Sequence, residues 1–181
     1  MKFNFCVIYI LSIVVFLATC RKTQANVNEP CTIQADTVAI ASKLLMLTDA
    51  EKIMGEPGEL TCNTFIKKGD TLEYKCDYTA LSQDAVTRKT GKLYFMYEIY
   101  GGVDAAASAY TAIYQSNSGH NGVEVISGVG DEAYYHSDQT GFYFFLVRKN
   151  KKMFRLKLNK ATSHSSVVEF KEAARRIVDR L

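Results

Sequence analysis

Alternating polar and apolar residues, joined by connections of only a few residues, constrain this chain more than any other feature. The runs "GFYFFLVRK" and "KMFRLKLN" meet at Asn150, and "LTCNTFI" and "TLEYKCDY" are joined across residues 67–70. Strands joined by so few residues pair antiparallel, because a parallel crossover needs a dozen residues or more. The sequence therefore predicts a mainly antiparallel sheet.

Helical spacing of apolar residues appears in three places, over residues 38–54, 104–115 and 166–181. Gly55 lies where the first of these segments should end. The resulting order is a helix, three strands, a helix, several strands and a final helix. This order predicts an α+β fold in which an antiparallel sheet packs against helices.

Polar residues before the helical segments predict where the helices begin. Thr48 with Glu51, and Ser166 with Glu169, match the capping box, in which a hydroxyl and a carboxylate satisfy free backbone amides. Asp104 is placed to cap the middle helix.

An uncharged apolar run lies near the amino terminus, from Phe5 to Ala18. It is shorter than the roughly 20 residues that a permanent transmembrane helix needs, and Lys2 precedes it. The run is typical of a signal peptide.

The residues after this run predict a lipid anchor. "LATC", which ends at Cys20, resembles the lipobox of bacterial lipoproteins, although Thr19 departs from the usual Gly, Ala or Ser. The alternative is ordinary cleavage after Ala25. The lipobox gives three segments: a signal peptide (1–19), a lipid anchor and polar tether (20–30), and one α+β domain (31–181).

Three cysteines follow Cys20, and they are Cys31, Cys62 and Cys76. Cys62 and Cys76 lie in neighbouring strand runs, so antiparallel pairing predicts a disulfide between them, worth about 3 kcal/mol. Pairing of Cys31 with Cys76 is the alternative. Their spacing does not match a CxxC zinc pattern, and we predict no metal and no cofactor.

The segment "ISGVGDEAYY", residues 126–135, is the most motif-like stretch. It lacks the third glycine of a dinucleotide-binding loop, and its acidic pair would repel phosphate. We predict a structural turn in which Gly128 and Gly130 adopt positive φ and Asp131 binds nearby amides.

A catalytic interpretation of the same segment uses Asp131, Glu132 and His136 as a metal-dependent or hydrolytic centre. The sequence contains no EF-hand loop, no HExxH and no GxSxG to support it. We therefore expect a non-enzymatic protein and keep this enzyme as the alternative.

Charge is distributed unevenly along the chain. Residues 148–181 carry a net charge of +8, whereas residues 20–147 carry −6. The basic part suits anionic lipid headgroups, but its positive residues alternate with apolar ones over residues 153–160, which is typical of the solvated face of a strand. An exported protein is not expected to bind nucleic acid.

Aromatic residues are the strongest sign of a binding role. The chain has eleven tyrosines and ten phenylalanines, which suit contact surfaces as well as cores. Most of them alternate in strands, so core packing is the simpler interpretation of any single one. We predict a contact surface for an envelope protein or a small hydrophobic ligand, made by Tyr94, Tyr97, Tyr100, Tyr135 and Tyr143.

The order of several short segments adds a family resemblance. "LLMLTDAEKIMGEP", "CDY", "AAASAYTAIYQ" and "VISGVGDEAYYHSD" are similar in order to small bacterial envelope lipoproteins of unassigned function, whose domains are PsbP-like α/β sandwiches. The resemblance implies this fold and export, and it carries no active site. No acidic run follows Cys20, which favours an outer-membrane protein that faces the periplasm.

The anchor can be tested by the intact mass of the protein purified from its own membranes. We expect the mass of residues 20–181 plus acyl chains. A chain that begins at Asn26 without lipid would contradict the anchor.

Overall fold

The computed structural model describes residues 39–181, which form four helices and seven strands. The helices are α1 (residues 39–44), α2 (Leu47–Met54), α3 (Val103–Asn117) and α4 (Val167–Asp179). The strands are β1 (Gly58–Lys68), β2 (Thr71–Ala80), β3 (Lys92–Ile99), β4 (Val123–Val125), β5 (Glu132–Ser137), β6 (Phe142–Lys149) and β7 (Lys152–Asn159). The predicted signal peptide, anchor and tether lie outside the described residues. Among those residues, no helix is long and apolar enough to cross a bilayer.

The seven strands form one sheet in the order β1-β2-β3-β7-β6-β5-β4. Every neighbouring pair is antiparallel, and β7 lies at the centre between β3 and β6. Hairpins connect β1 to β2, β5 to β6 and β6 to β7, because only a few residues separate these strands. The predicted α+β class, with an antiparallel sheet packed against helices, is confirmed.

The two faces of the sheet are covered differently. On the helix-packed face, α1, α2 and α4 bury the larger core, to which the sheet contributes Leu93, Phe95 and Leu156. On the other face, α3 packs over β6 and β7 and closes a smaller core around Tyr134 and Leu146. Within residues 39–181 no helix packs over β1 and β2 on that side, so we call it the half-covered face.

The helix starts follow the predictions only in part. Ser166 caps α4 as predicted, and its hydroxyl accepts a hydrogen bond from the Glu169 amide at 3.2 Å. The reciprocal half of the capping box is not formed, because the Ser166 amide donates to the carbonyl of Ile53 at 2.9 Å. The prediction for Thr48 is wrong, because α2 begins at Leu47 and Met46 is its N-cap. The prediction for Asp104 is also wrong, since it lies in the first turn of α3.

The predicted disulfide between Cys62 and Cys76 is not formed, and both thiols are free. An irregularity in β1 between Leu60 and Cys62 shifts the register, so that Cys62 lies opposite Asp77 and Asn63 lies opposite Cys76. Opposed residues share a face while successive residues alternate, which puts the two cysteines on opposite faces of the sheet. Burial raises the pKa of the Cys76 thiol to about 11. Cys31 lies outside the described residues.

A buried carboxylate joins the loop after β2 to the loop before α4. The Asp84 side chain is fully buried and accepts hydrogen bonds from the amide of Ser163 at 2.8 Å and from its hydroxyl at 3.0 Å. It also accepts hydrogen bonds from the Thr87 hydroxyl at 2.6 Å and from the Val86 amide at 3.0 Å. These donors, the Ser163 amide first, hold the pKa of Asp84 well below its ordinary value.

Asp84→Asn should lower the free energy of unfolding at neutral pH, because the amide loses the charge that these donors stabilise. A lowered folded-state pKa gives stability that is complete above the unfolded-state pKa and is lost as pH falls through the folded-state pKa. The difference from the unsubstituted protein should therefore shrink below about pH 4. Denaturant unfolding across this pH range checks the expectation, with Asp70→Asn as a control for the loss of one carboxylate. A difference independent of pH would contradict the account.

Candidate functional site

The glycine turn before β5 passes close to the backbone of β6 at one of its two glycines. Gly128 and Gly130 have φ of 75° and 64°, the conformation that the turn prediction requires. A Cβ on Gly130 would lie 2.5 Å from the carbonyl oxygen of Arg148, whereas a Cβ on Gly128 would meet no atom within 4 Å. Gly130 is therefore needed for space as well as for conformation.

The acidic pair that follows this turn is bound by one arginine. Arg148 on β6 donates from Nη1 to Asp131 at 2.8 Å and from Nε to Glu132. Asp131 also accepts a hydrogen bond from the backbone amide of Asn150 at 2.7 Å. The carboxylates thus connect the turn to the β6–β7 hairpin.

His136 does not join the acidic pair in a catalytic cluster. Its ring lies 4.9 Å from the ring of Phe142 and 5.7 Å from that of His120, measured between centroids. Burial, and then the nearby His120, lower the pKa of His136. In the described part of the chain, no three His, Cys, Asp or Glu side chains are arranged to hold a metal ion.

The five predicted contact tyrosines do not form one surface. Tyr97 and Tyr135 are buried in the larger core, and Tyr143 packs against the same core at 5.7 Å from the ring of Phe170. Tyr94 is half-buried on the half-covered face, and Tyr100 follows the end of β3 and packs against the smaller core. Alternation along the strands separates them: Tyr135 and Tyr143 line an open groove of about 330 Å³ between β4 and the start of α4, whereas Tyr94 lines a separate groove on the half-covered face.

That groove crosses β2, β3, β7 and β6 on the half-covered face and has a volume of about 320 Å³. Its lining includes the backbone of β3 at Phe95 and seven side chains of mixed character. We call it the sheet groove: Lys75, Asp77, Tyr94, Met96, Phe144, Arg155 and Lys157.

The register explains why these side chains meet. Asp77, Tyr94, Lys157 and Phe144 are successive cross-strand partners, so they form one row across four strands. Lys75, Met96 and Arg155 form the next row. Both rows face away from the larger core, and α3 stops short of covering them.

Two of the three cations in the groove are paired with carboxylates. Lys75 lies 2.9 Å from Glu73, and Arg155 lies 2.9 Å from Glu98. Burial raises the pKa of Glu98, whereas Lys75 and Lys68 outweigh burial and lower that of Glu73.

Lys157 differs from the other two cations. It forms no ion pair within residues 39–181, and its ammonium lies 5.8 Å from the centre of the Phe142 ring. The sheet groove therefore combines apolar side chains with a cation that has no carboxylate partner in the described part of the chain.

The sequence interpretation missed most of the sheet groove. Alternating charges over residues 153–160 favoured a solvated strand face, but Arg155 is largely buried, with 30% of its side chain exposed. Met96 and Phe144 carried no signal, because an apolar residue in a strand predicts core packing on either face. Only the strand order places them beside Tyr94.

A larger cavity, of about 450 Å³, lies between α3 and the glycine turn. Asp131 and Glu132 border it, but both already bind Arg148. We favour the sheet groove as the candidate site, because Lys157 in its lining has no carboxylate partner within residues 39–181. Neither a protein-family model nor a curated protein matches this chain, so its own geometry has to carry the functional argument.

Two alanine substitutions in the turn should differ in cost. Gly130→Ala forces an alanine into positive φ and brings its Cβ against the Arg148 carbonyl. It should therefore lower the free energy of unfolding by about 3 kcal/mol. Gly128→Ala is strained only by positive φ and should lower the free energy of unfolding by about 1 kcal/mol. Denaturant unfolding measures both, and equal costs would contradict the crowding at Gly130.

Proposed function

We propose that this chain is a lipid-anchored binding protein of the bacterial envelope, without a catalytic role, and that the sheet groove is its binding site. The carrying observation is the half-covered face, where apolar and cationic side chains line a groove beside α3. A sheet normally buries one face and presents a polar surface on the other. Here the outer surface includes Tyr94, Met96 and Phe144, each only half-buried.

The size of the groove favours a small molecule. Small-molecule sites are clefts of roughly 300–1,000 Å³ with apolar walls and a few polar groups. The sheet groove, at about 320 Å³, is at the lower end of that range. A protein partner would need a larger interface, so we propose a small ligand with an apolar body.

The proposed family is that of PsbP-like envelope lipoproteins. Helices on both faces of an antiparallel sheet support a sandwich of that kind. The apolar run that ends at Cys20 supports an anchor on the outer membrane with the domain in the periplasm. Such a tether would keep the groove close to molecules that leave or enter the membrane.

A single-tryptophan reporter tests the binding site, because the chain contains no tryptophan. Tyr94→Trp places an indole in the groove, and Phe65→Trp places one on the helix-packed face, where Phe65 packs against the larger core. The full-length variants in phosphatidylcholine vesicles would be titrated with decanol. We expect saturable changes in the emission of Tyr94→Trp and only the linear change of membrane partitioning in Phe65→Trp.

The matched variant separates groove binding from effects of the vesicle. Equal responses from both variants, or no saturable response from Tyr94→Trp, would count against the sheet groove as the site.

A further inference from the structure

A second open pocket, of about 270 Å³, lies on the half-covered face between the end of α3 and strands β5, β6 and β7. Five side chains line it, and we call it the basic pocket: Asn117, His136, Phe142, Phe144 and Lys157. Two of the five can carry a positive charge, and none of them is a carboxylate. The lining therefore suits an acidic group.

The basic pocket adjoins the sheet groove, because Phe144 and Lys157 line both. The strand register explains this arrangement. The row of cross-strand partners that contains Tyr94, Lys157 and Phe144 continues to His136 on β5. One elongated ligand can therefore occupy both spaces and cross the boundary beside Lys157.

His136 and Lys157 approach the basic pocket from the strands on either side of β6. Two strand spacings, about 10 Å, separate their backbones, and Phe144 lies between them. The ammonium of Lys157 lies 5.8 Å from the centre of the Phe142 ring, and the centre of the His136 ring lies 4.9 Å from the same point. Both basic groups thus lie beside one aromatic ring of the lining.

No carboxylate in the lining neutralises these two groups. Lys157 is exposed and forms no ion pair within residues 39–181. Asp138 acts on His136 from the end of β5, but one of its carboxylate oxygens already accepts hydrogen bonds from the backbone amides of residues 140–142. The basic pocket therefore has positive charge to offer to a ligand.

The charge of His136 depends on pH and on what is bound beside it. Burial lowers the pKa of His136, and the nearby charges of His120 and Lys157 lower it further. Asp138 and a hydrogen bond with the Asn121 backbone oppose this shift without reversing it. The partners of His136 on β4 and β6 do not titrate. The imidazole is therefore uncharged at neutral pH, and a bound anion would favour its protonation as pH falls.

We propose that the basic pocket is an acid-binding site, in which Lys157 and His136 hold a carboxylate or phosphate group of a ligand that extends into the sheet groove. The inference rests on the proposed function and adds to it the chemical class of the ligand and the second space that it fills. Because protonation of His136 and anion binding favour each other, the ligand binds more tightly at acidic pH.

The test uses the Tyr94→Trp protein in phosphatidylcholine vesicles and two probes that carry the same decyl chain. Decyl sulfate keeps its negative charge over the whole pH range of the test, whereas decanol is neutral. At free probe concentrations fixed by dialysis, we expect decyl sulfate to bind about tenfold more tightly than decanol at neutral pH. The tighter of decanoate and decyl phosphate, compared in the same way, identifies the acidic group.

Two lysine substitutions in the same reporter protein locate the group that binds the acid. Lys157→Met removes the charge and keeps an unbranched apolar side chain, so the preference for decyl sulfate should fall about fivefold. The fold should be retained, because Lys157 is exposed. Lys151→Met is the matched control. It removes one charge from the exposed β6–β7 turn, outside both cavities, and should leave the preference unchanged.

The pH dependence examines His136 separately. Between about pH 8 and about pH 5, the affinity for decyl sulfate should rise about fivefold while that for decanol stays constant. His136→Gln keeps a polar side chain without a titrating charge, so the rise should disappear. His164→Gln, outside both cavities, is the matched control and should keep the rise.

The outcomes separate this proposal from the proposed function. Saturable binding of decanol and decyl sulfate with equal affinity would keep the sheet groove as a binding site and overturn the acid-binding pocket. Equal losses of preference in Lys157→Met and Lys151→Met would overturn it as well. An affinity for decyl sulfate that is independent of pH would overturn the role of His136. Failure of all the probes to bind would remove both proposals.

Discussion

The position of β7 between β3 and β6 is the constraint on which the rest of the structure depends. Its residues alternate without a break, so Phe154, Leu156 and Leu158 are completely buried in the larger core while Arg155 and Lys157 point to the opposite face. A slip of one residue would exchange these two sets and put two cations into the core. The cost of that exchange fixes the register of the neighbouring strands, and with it every cross-strand row on the half-covered face.

The half-covered face is a consequence of how little of the sheet α3 can bury. Its inward side chains, Tyr110 with Ile113 and Tyr114, pack on Tyr134 and Leu146 and reach no further than β7. On the other face, α2 and α4 pack against each other and together span β1 to β6. One helix on one side and a layer of helices on the other leave the groove uncovered. The groove therefore results from the number of helices on each face of the sheet and not from a local sequence motif.

Local chemistry predicted the elements, while the assembled sheet determined the site. The hairpin at Asn150 follows from residues adjacent in sequence, and it was predictable. The disulfide prediction failed because a register irregularity moved Cys62 and Cys76 to opposite faces, and alternation alone does not reveal such a shift. Arg155 and Lys157 were identified as outward-facing residues of a strand. Their neighbours come from three other strands, so the groove required the strand order.

Two arginines on the half-covered face show how a structural cation differs from one available to a ligand. The guanidinium of Arg148 binds Asp131 and Glu132, and these contacts fix a turn against a hairpin. Arg155 binds one carboxylate, and its buried Nε has no hydrogen-bond partner within residues 39–181. Proteins retain such exceptions to polar satisfaction mainly at functional or strained sites, and this one lies in the lining of the sheet groove.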